Sequence, residues 1–187
     1  KETKQEQGNI RFTGSLEDAY RVCLWSRVAI RVLMPIAHFS ATTTDALYQG
    51  IYDLPWEDHI DAEGTTIAVE FNSFRSKIHH TQYGAQRVKD GIVDRFREQT
   101  GERPSVELLQ PDLRINVYLK NNQAIVSIDL SGESLHKRGY RVQNTPAPLK
   151  EHLAAAILLS AEWPRLAKQG WGLIDPMCGS GTFLIEA

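Results

Sequence analysis

The chain has 187 residues, of which 42% are hydrophobic and 24% charged, and its formal net charge is −2. This composition is ordinary for a globular protein and argues against a uniformly basic nucleic-acid-binding protein. No apolar stretch approaches the roughly 20 residues that span a membrane, so no membrane partner is expected. Cys23 and Cys178 lie far apart, and no Cys/His cluster has metal-binding spacing. We therefore expect reduced thiols, a cytoplasmic setting and no bound metal.

Helix and strand signals alternate over the first 131 residues. Capping signals and apolar spacing predict three helices, which run from Ser15 to about Val28, from Thr43 or Thr44 to Tyr52, and from about His80 to Gln99. Alternating apolar positions predict four strands, at residues 30–35 (ending at Pro35), 66–71, 113–119 and 124–130. The Lys-Asn-Asn-Gln sequence between the last two strands predicts the turn of a β-hairpin.

The third predicted helix has the clearest apolar stripe. Ala85, Val88, Ile92 and Phe96 recur at three- and four-residue spacing, and Gly101 follows as a C-terminal stop. The polar positions are expected on the solvent side, at Gln86, Arg87, Lys89, Asp90, Arg95 and Arg97.

A fourth helix is predicted from about Leu149 to Ser160, after Pro146 and Pro148. Its inward residues are expected to be Leu153, Ala156, Ile157 and Ser160. The stretch from Trp163 to Gly170 is expected to link this helix to a final strand.

The C-terminal sequence predicts a strand, a glycine turn and a helix start. The apolar run Gly172–Ile174 ends at Asp175, and Gly179 and Gly181 remove Cβ atoms where a ligand can approach the backbone. In α/β sheets, such turns are where nucleotide-like ligands bind. The loop is neither a dinucleotide fingerprint nor a phosphate loop, because Leu184 replaces the third glycine and no Gly-Lys-Ser/Thr follows.

Cys178, within this turn, has two interpretations. It could be a nucleophile, but no Arg or His follows it closely, so we favour a small residue packed in the turn.

The segment Asp175–Thr182 closely resembles the first motif of S-adenosylmethionine-dependent methyltransferases that act on nitrogens of nucleic-acid bases. The resemblance implies S-adenosyl-L-methionine as the cofactor, with Asp175 near its methionine amino group and the glycine backbone beneath it. The implied cofactor-binding residues are Asp175, Met177, Cys178, Gly179, Ser180, Gly181 and Thr182. The Asn/Asp-Pro-Pro-Tyr/Phe loop of this class occurs nowhere in the 187 residues. We therefore expect a catalytically inactive fragment that contains no catalytic residue.

Three further segments, Pro111–Val117, Leu135–Arg141 and Ala147–Ala156, resemble the THUMP-containing RNA methyltransferases. The likeness is greatest to the branch that makes N2-methylguanosine in bacterial large-subunit ribosomal RNA. It implies an α/β chain in which an α+β THUMP domain with a ferredoxin-like remnant precedes the first elements of a Rossmann-like methyltransferase domain. The implied parts are a remnant at 1–40 interleaved with THUMP, THUMP at 18–131, a connector at 132–147 and the methyltransferase start at 148–187.

The implied partner is RNA, and local basic clusters indicate where it binds. Residues 75–97 contain six Lys or Arg and two Asp, and residues 134–150 contain four Lys or Arg and no acid. Candidate RNA-binding residues are Arg75, Lys77, Arg87 and Lys89, and in the connector Lys137, Arg138, Tyr140 and Arg141. The alternative is that these charges are only solvated and that Tyr140 packs between domains. By the same resemblance Pro148–Glu151 lies near the methionine end of the cofactor, although a helix cap explains Glu151 equally well.

Three other functions stay open. One is a THUMP methyltransferase acting on transfer RNA, and another is an RNA-binding module without chemistry. The last is a DNA amino-methyltransferase, which would share the glycine loop but should lack the THUMP-like hairpin and connector.

Overall fold

The computed structural model describes residues 2–6, 8–61, 64–141 and 147–187. The chain divides into two compact units, one of residues 33–132 and one of residues 1–32 together with 133–187. The α-helices among the described residues are α1 (Leu16–Trp25), α2 (Thr44–Tyr52), α3 (Thr81–Thr100), α4 (Glu151–Ser160), α5 (Trp163–Lys168) and α6 (Thr182–Glu186). Its strands are β1 (Thr3–Glu6), β2 (Asn9–Phe12), β3 (Leu33–Ser40), β4 (Thr66–Phe74), β5 (Ser105–Val106), β6 (Leu113–Lys120) and β7 (Gln123–Asp129). The described residues therefore form a mixed α/β fold.

The unit of residues 33–132 is built on a five-stranded sheet with the order β3-β7-β6-β4-β5. Strands β3, β7 and β6 run antiparallel in turn, whereas β4 is parallel to both β6 and β5. Asn121 and Asn122 join β6 to β7 with φ of 51° and 61°, which are the left-handed conformations of a tight hairpin turn. The predicted hairpin is thereby confirmed.

Helices α2 and α3 cover one face of this sheet and enclose the core. Trp56, in a short 3-10 helix at Trp56–Asp58, is fully buried, and its indole Nε1 donates to the carbonyl oxygen of Ile51 over 2.7 Å. The predicted stripe of α3 is confirmed, because Val88, Ile92 and Phe96 are buried and Ala85 packs against the same cluster.

Four residues on the predicted solvent side of α3 are only partly exposed, namely Arg87, Lys89, Asp90 and Arg95, and Arg95 is the most enclosed of them. Arg95 has a side chain that is 14% exposed, because its guanidinium binds both carboxylate oxygens of Glu57 and the carbonyl oxygen of Tyr52. That prediction was wrong, because a polar residue beside the apolar stripe finds ionic and carbonyl partners on neighbouring elements.

The predicted strand at residues 30–35 was also placed wrongly. Strand β3 begins at Leu33 and continues through Pro35 to Ser40. Proline is tolerated there because β3 is an edge strand, and its pairing with β7 shifts register between Pro35 and Ala37.

The other unit contains the hairpin β1–β2, which the sequence did not predict, and α1, which it did. Ser15 caps α1, and its side chain and that of Asp18 form the reciprocal capping box. Residues 142–146 of the predicted connector, Pro146 among them, lie outside the described residues.

Helix α4 packs against α5 and α6, but on a different face from the one predicted. Leu153 and Ile157 are 46% and 45% exposed, whereas Ala154, Ala155 and Leu158 are buried. The prediction was wrong because α4 is apolar on nearly every side, so its spacing does not single out one face.

Two other expectations for this region were wrong. Residues 163–170, expected to be a link, contain α5. The run Gly172–Ile174 is not a strand in the part of the chain that the structure describes. Strand geometry depends on backbone hydrogen bonds to a neighbouring strand, and an apolar run alone does not provide them.

Candidate functional site

The glycine loop of residues 175–182 is a tight turn that leads into α6. The side chain of Asp175 accepts a hydrogen bond from the backbone N–H of Met177 over 3.1 Å, and the N–H of Gly181 donates to the carbonyl oxygen of Cys178 over 2.7 Å. Gly179 and Gly181 have φ of 53° and 73°, a left-handed conformation that favours glycine. The turn is therefore specified by its own sequence.

The space beside these two glycines is open. A Cβ atom added at Gly179 or Gly181 would meet no heavy atom of the described chain within 4 Å. Met177 is 90% exposed, and Cys178 is exposed as well. The backbone of the turn thus presents a surface that a small molecule can approach closely.

Arg141 connects this loop to the start of α4. Its Nη1 donates to the hydroxyl of Ser180 over 3.1 Å, and its Nη2 donates to that of Thr182 over 3.1 Å. Its Nε donates to Glu151 over 2.6 Å, and its Nη2 also donates to the carbonyl oxygen of Leu149. One guanidinium therefore fixes the glycine loop and the first turn of α4 relative to each other.

Glu151 is the acidic partner in this network. Its side chain is 7% exposed, against 16% for that of Arg141. Burial is the largest single effect and raises the pKa of Glu151, but the hydrogen bond from Arg141, a backbone hydrogen bond and the charge of Arg141 together outweigh it, so the pKa of Glu151 is lowered. Glu151 is therefore held as a carboxylate and opens α4 without capping it, since Lys150 is the N-cap residue.

A second ionic cluster surrounds Glu186 in α6, whose side chain is 2% exposed. The carboxylate accepts from Arg138 Nη1 over 2.7 Å and from the Tyr140 hydroxyl over 3.0 Å, and Arg27 lies 3.6 Å away. Burial, together with the hydrogen bond to Glu186, raises the pKa of Tyr140 to about 12. The connector is thus attached to both α4 and α6 by buried charges.

His152 is a half-buried site residue that the sequence did not indicate, and its Nδ1 atom is buried. No hydrogen-bond partner for its Nδ1 lies among the described residues, and its ring centre is 5.3 Å from that of His136. Burial first, and the nearby His136 second, lower the pKa of His152. In the sequence, a histidine one position after Glu151 cannot be told apart from a histidine that only packs in the core.

The eight candidate RNA-binding residues fall into two groups. Arg75 and Lys77 are exposed, and Lys137 is 61% exposed at the side chain with Glu133 at 3.9 Å. The others have protein partners: Arg138, Tyr140 and Arg141 lie in the clusters above, Lys89 pairs with Asp90, and Arg87 binds Asp45. RNA binding by any of the eight remains a prediction.

Among the described residues, no three or more His, Cys, Asp or Glu side chains are grouped so that they could hold a metal ion. Across the same residues, no helix has both the length and the apolarity that a membrane crossing requires.

Family models match most of the chain. Residues 41–129 match the THUMP domain, residues 138–187 match the RMKL-like methyltransferase domain, and residues 1–33 match the RlmL ferredoxin-like domain.

Curated relatives with the name Ribosomal RNA large subunit methyltransferase K/L are similar over nearly all of the chain. The relative from Syntrophotalea carbinolica is 55% identical over 186 residues, which is 100% of this chain and 26% of the relative. The relative from Methylococcus capsulatus is 56% identical over 183 residues, or 98% of this chain and 25% of the relative. The chain therefore spans about a quarter of the length of these relatives.

Two solved structures also cover nearly the whole chain. A Listeria monocytogenes protein described as a predicted N6-adenine-specific DNA methylase is 34% identical, with a TM-score of 0.82 over 98% of this chain and 47% of that one. A protein described as a putative methyltransferase complexed with SAH is 36% identical, also with a TM-score of 0.82, over 98% of this chain and 48% of that one.

Proposed function

The chain belongs to the THUMP-domain-containing RNA methyltransferases, and from this premise we propose that it is the RNA-binding part of an S-adenosylmethionine-dependent ribosomal RNA methyltransferase. The proposed reaction is methylation of N2 of a guanine in large-subunit ribosomal RNA. Such a substrate would place the protein in the cytoplasm. The domain limits are part of this proposal: a ferredoxin-like remnant at 1–40 interleaved with THUMP, the THUMP region at 18–131, a connector at 132–147 and the start of the methyltransferase domain at 148–187.

The observation that carries the proposal is the open glycine turn that Arg141 holds against α4. The backbone at Gly179 and Gly181 is accessible, and the hydroxyls of Ser180 and Thr182 already bind Arg141. These features fit a cofactor that lies on the peptide backbone and is contacted by few side chains. The residues that would hold S-adenosyl-L-methionine are Asp175, Met177, Cys178, Gly179, Ser180, Gly181 and Thr182. When bound, this cofactor supplies an activated methyl group on its sulfonium.

The substrate nitrogen explains what the rest of such an enzyme has to do. The exocyclic amine of guanine is a poor nucleophile, because its lone pair is delocalised into the ring. Alignment of the amine, exclusion of water and acceptance of a proton are therefore the tasks left to the protein. The absent Asn/Asp-Pro-Pro-Tyr/Phe loop would perform the last task, so we expect no methylation by these 187 residues alone.

The remainder of the chain would select the RNA. A catalytic pocket of this kind receives one flipped base and cannot distinguish it from thousands of others. Phosphate contacts by a separate domain add affinity and select RNA by shape. Arg75, Lys77 and Lys137, which extend into solvent, support this assignment most directly.

Methylation of DNA adenine is a second candidate, because the similar Listeria protein is described as an adenine-specific DNA methylase. We favour RNA because residues 41–129 match the THUMP domain and the curated relatives are named as ribosomal RNA methyltransferases. Transfer RNA in place of ribosomal RNA is a further possibility. The segment Leu135–Arg141 favours the ribosomal branch, but only weakly.

The experiment uses the protein from the complete coding sequence. We expect calorimetry to detect binding of S-adenosylmethionine, and the enzyme to methylate large-subunit RNA from a strain that lacks the gene. Mass spectrometry of nuclease fragments would identify the modified guanine. Absence of cofactor binding would refute the methyltransferase assignment, and labelling of transfer RNA or DNA alone would refute the substrate.

A further inference from the structure

The face of the five-stranded sheet opposite α2 and α3 is partly open. Ile115, Val117 and Leu119 of β6 point into the core, so the alternate residues of this strand point the other way. The strand pairing places residues of this open face in two rows that cross β3, β7, β6 and β4. One row contains His38, Ile125, Tyr118 and Asn72, and the next contains Ser40, Gln123, Lys120 and Phe74.

Two aromatic side chains stand on this open face. Phe74 and Tyr118 are 47% and 38% exposed and lie on adjacent strands, β4 and β6. Phe74 pairs with Lys120 and Tyr118 with Asn72, so the two aromatics are offset by two residues along the sheet. A strand spacing of about 4.8 Å and a rise of about 3.3 Å per residue put their Cα atoms about 8 Å apart. Both rings are therefore within reach of one short ligand.

Two positively charged side chains lie beside Phe74. Lys120 is exposed next to Phe74, and the guanidinium carbon of Arg75 lies 5.1 Å from the centre of the Phe74 ring. His38 is exposed at the other end of the Tyr118 row. The acidic residue on the same face of β4 is Glu70, which accepts a hydrogen bond from Asn72 over 3.4 Å. Two cations, Arg75 and Lys120, thus lie beside Phe74, while one carboxylate, that of Glu70, lies diagonally across from Tyr118.

The turn that follows Phe74 is held rigidly. Arg75 has φ of 48°, an uncommon conformation for a residue with a side chain. The Asn122 side chain accepts from the N–H of Lys77 over 2.8 Å, and the N–H of Asn122 donates to the Ser76 hydroxyl over 3.0 Å. Because these bonds fix the backbone before a ligand arrives, less conformational entropy is lost on binding.

We propose that this surface, the aromatic platform of Phe74, Arg75, Tyr118 and Lys120, binds two neighbouring unpaired RNA bases by stacking. The exposed rings provide sequence-tolerant stacking surfaces, and Arg75 and Lys120 contact the adjacent phosphates. Paired bases present no free face to the rings, so the platform selects single-stranded segments of the target. This inference rests on the proposed RNA-binding function and adds the kind of RNA that is bound.

The test compares single-stranded and duplex RNA of the same composition by fluorescence anisotropy, with the complete protein. Phe74→Ala and Tyr118→Ala should each weaken single-strand binding by about 5- to 100-fold and leave duplex binding nearly unchanged. Tyr118→Phe keeps the ring and should bind as the wild type does. Tyr83→Ala removes a similarly exposed tyrosine from α3 and is the matched control.

Folding and charge are tested separately. Phe74→Leu retains apolar bulk on the sheet but lacks the aromatic face, so it should lose affinity without a loss of thermal stability. Lys120→Gln should reduce the salt dependence of binding, whereas the aromatic variants should leave it unchanged.

The outcomes distinguish this inference from the proposed function. If the wild type binds and methylates RNA, but the Phe74 and Tyr118 variants bind single strands as tightly as the wild type, only the platform is refuted. If duplex binding falls as much as single-strand binding, the selection of unpaired bases is refuted. If the wild type binds no RNA, the proposed function fails together with the platform.

Discussion

Arg141 and Glu151 form a nearly buried ion pair, in which the guanidinium Nε donates to the carboxylate over 2.6 Å. The remaining nitrogens of the same guanidinium reach Ser180 and Thr182 in the glycine loop. The position of that loop therefore depends on a residue about forty positions earlier in the chain. Glu151 is in turn held ionised, in part by its hydrogen bond from Arg141.

Substitution of Arg141 by Lys should loosen the glycine loop. A lysine side chain ends in a single ammonium group, so it cannot bind Glu151 on one side and the hydroxyls of Ser180 and Thr182 on the other, as the guanidinium does. We expect the affinity of the complete protein for S-adenosylmethionine to fall by about ten- to a hundredfold, or about 1.4 to 2.7 kcal/mol. Calorimetry measures this, and Lys137→Gln, which changes an exposed neighbouring cation, should leave the affinity unchanged. An unaltered Kd in Arg141→Lys would refute the positioning role.

The Tyr140 hydroxyl should resist ionisation in the folded protein. Its pKa is raised to about 12 by burial and by the bond to Glu186, whereas an unfolded tyrosine ionises near 10. The stability that Tyr140 contributes is thus complete below pH 10 and is lost as the pH rises towards 12. At pH 11 about a tenth of folded Tyr140 is ionised, against about nine tenths in denaturant, so wild type and Tyr140→Phe should have nearly the same phenolate absorbance when folded and differ by almost one tyrosine when unfolded. A difference of nearly one tyrosine in the folded state would contradict the assigned environment.

The exposed and the bound cations of the THUMP region should respond differently to substitution. Arg75→Gln and Lys77→Gln together should reduce the slope of log affinity against log salt by about 1.4 to 1.8, if each residue contacts one phosphate. Binding titrations at several salt concentrations would measure the slope. An unchanged slope would exclude both residues from the RNA surface.

Arg87→Gln serves as the contrasting variant. The guanidinium carbon of Arg87 lies 4.4 Å from the ring centre of Tyr48, and its Nη2 lies 3.2 Å from Asp45. We expect its loss to lower the free energy of unfolding by about 1 kcal/mol, with no change in the salt slope. A reduced slope without destabilisation would instead favour the RNA contact predicted from the sequence.

Gly84 should not tolerate alanine, although alanine is the better helix former. An added Cβ would lie 2.5 Å from the Phe71 ring, so α3 could no longer approach β4 as closely. Overpacking of this kind costs about 1–3 kcal/mol, which exceeds the helix-propensity gain of about 1 kcal/mol. Denaturant unfolding should show a net loss for Gly84→Ala, whereas Gln82→Ala on the exposed side of α3 should be nearly neutral.

Local sequence signals predicted the elements whose structure is decided within a few residues. The capping box at Ser15, the cap at Thr43, the stop at Gly101 and the Asn121–Asn122 turn all lie where the sequence places them. Each depends on a side chain that satisfies nearby backbone groups, or on a residue that tolerates positive φ. The apolar stripe of α3 was predictable for a similar reason, because its opposite face is polar.

The resemblance to S-adenosylmethionine-dependent methyltransferases could also be predicted from the sequence, because the glycine loop and the connector motif are each contiguous segments. Tertiary structure alone decided which charges are free to meet a ligand. Arg75 and Arg141 look alike in sequence, yet Arg75 is exposed beside the Phe74 ring, whereas Arg141 is enclosed among Glu151, Ser180 and Thr182. The buried face of α4 and the passage of β3 through Pro35 were decided in the same way. Each depends on partners distant in the chain, and no local periodicity encodes where those partners lie.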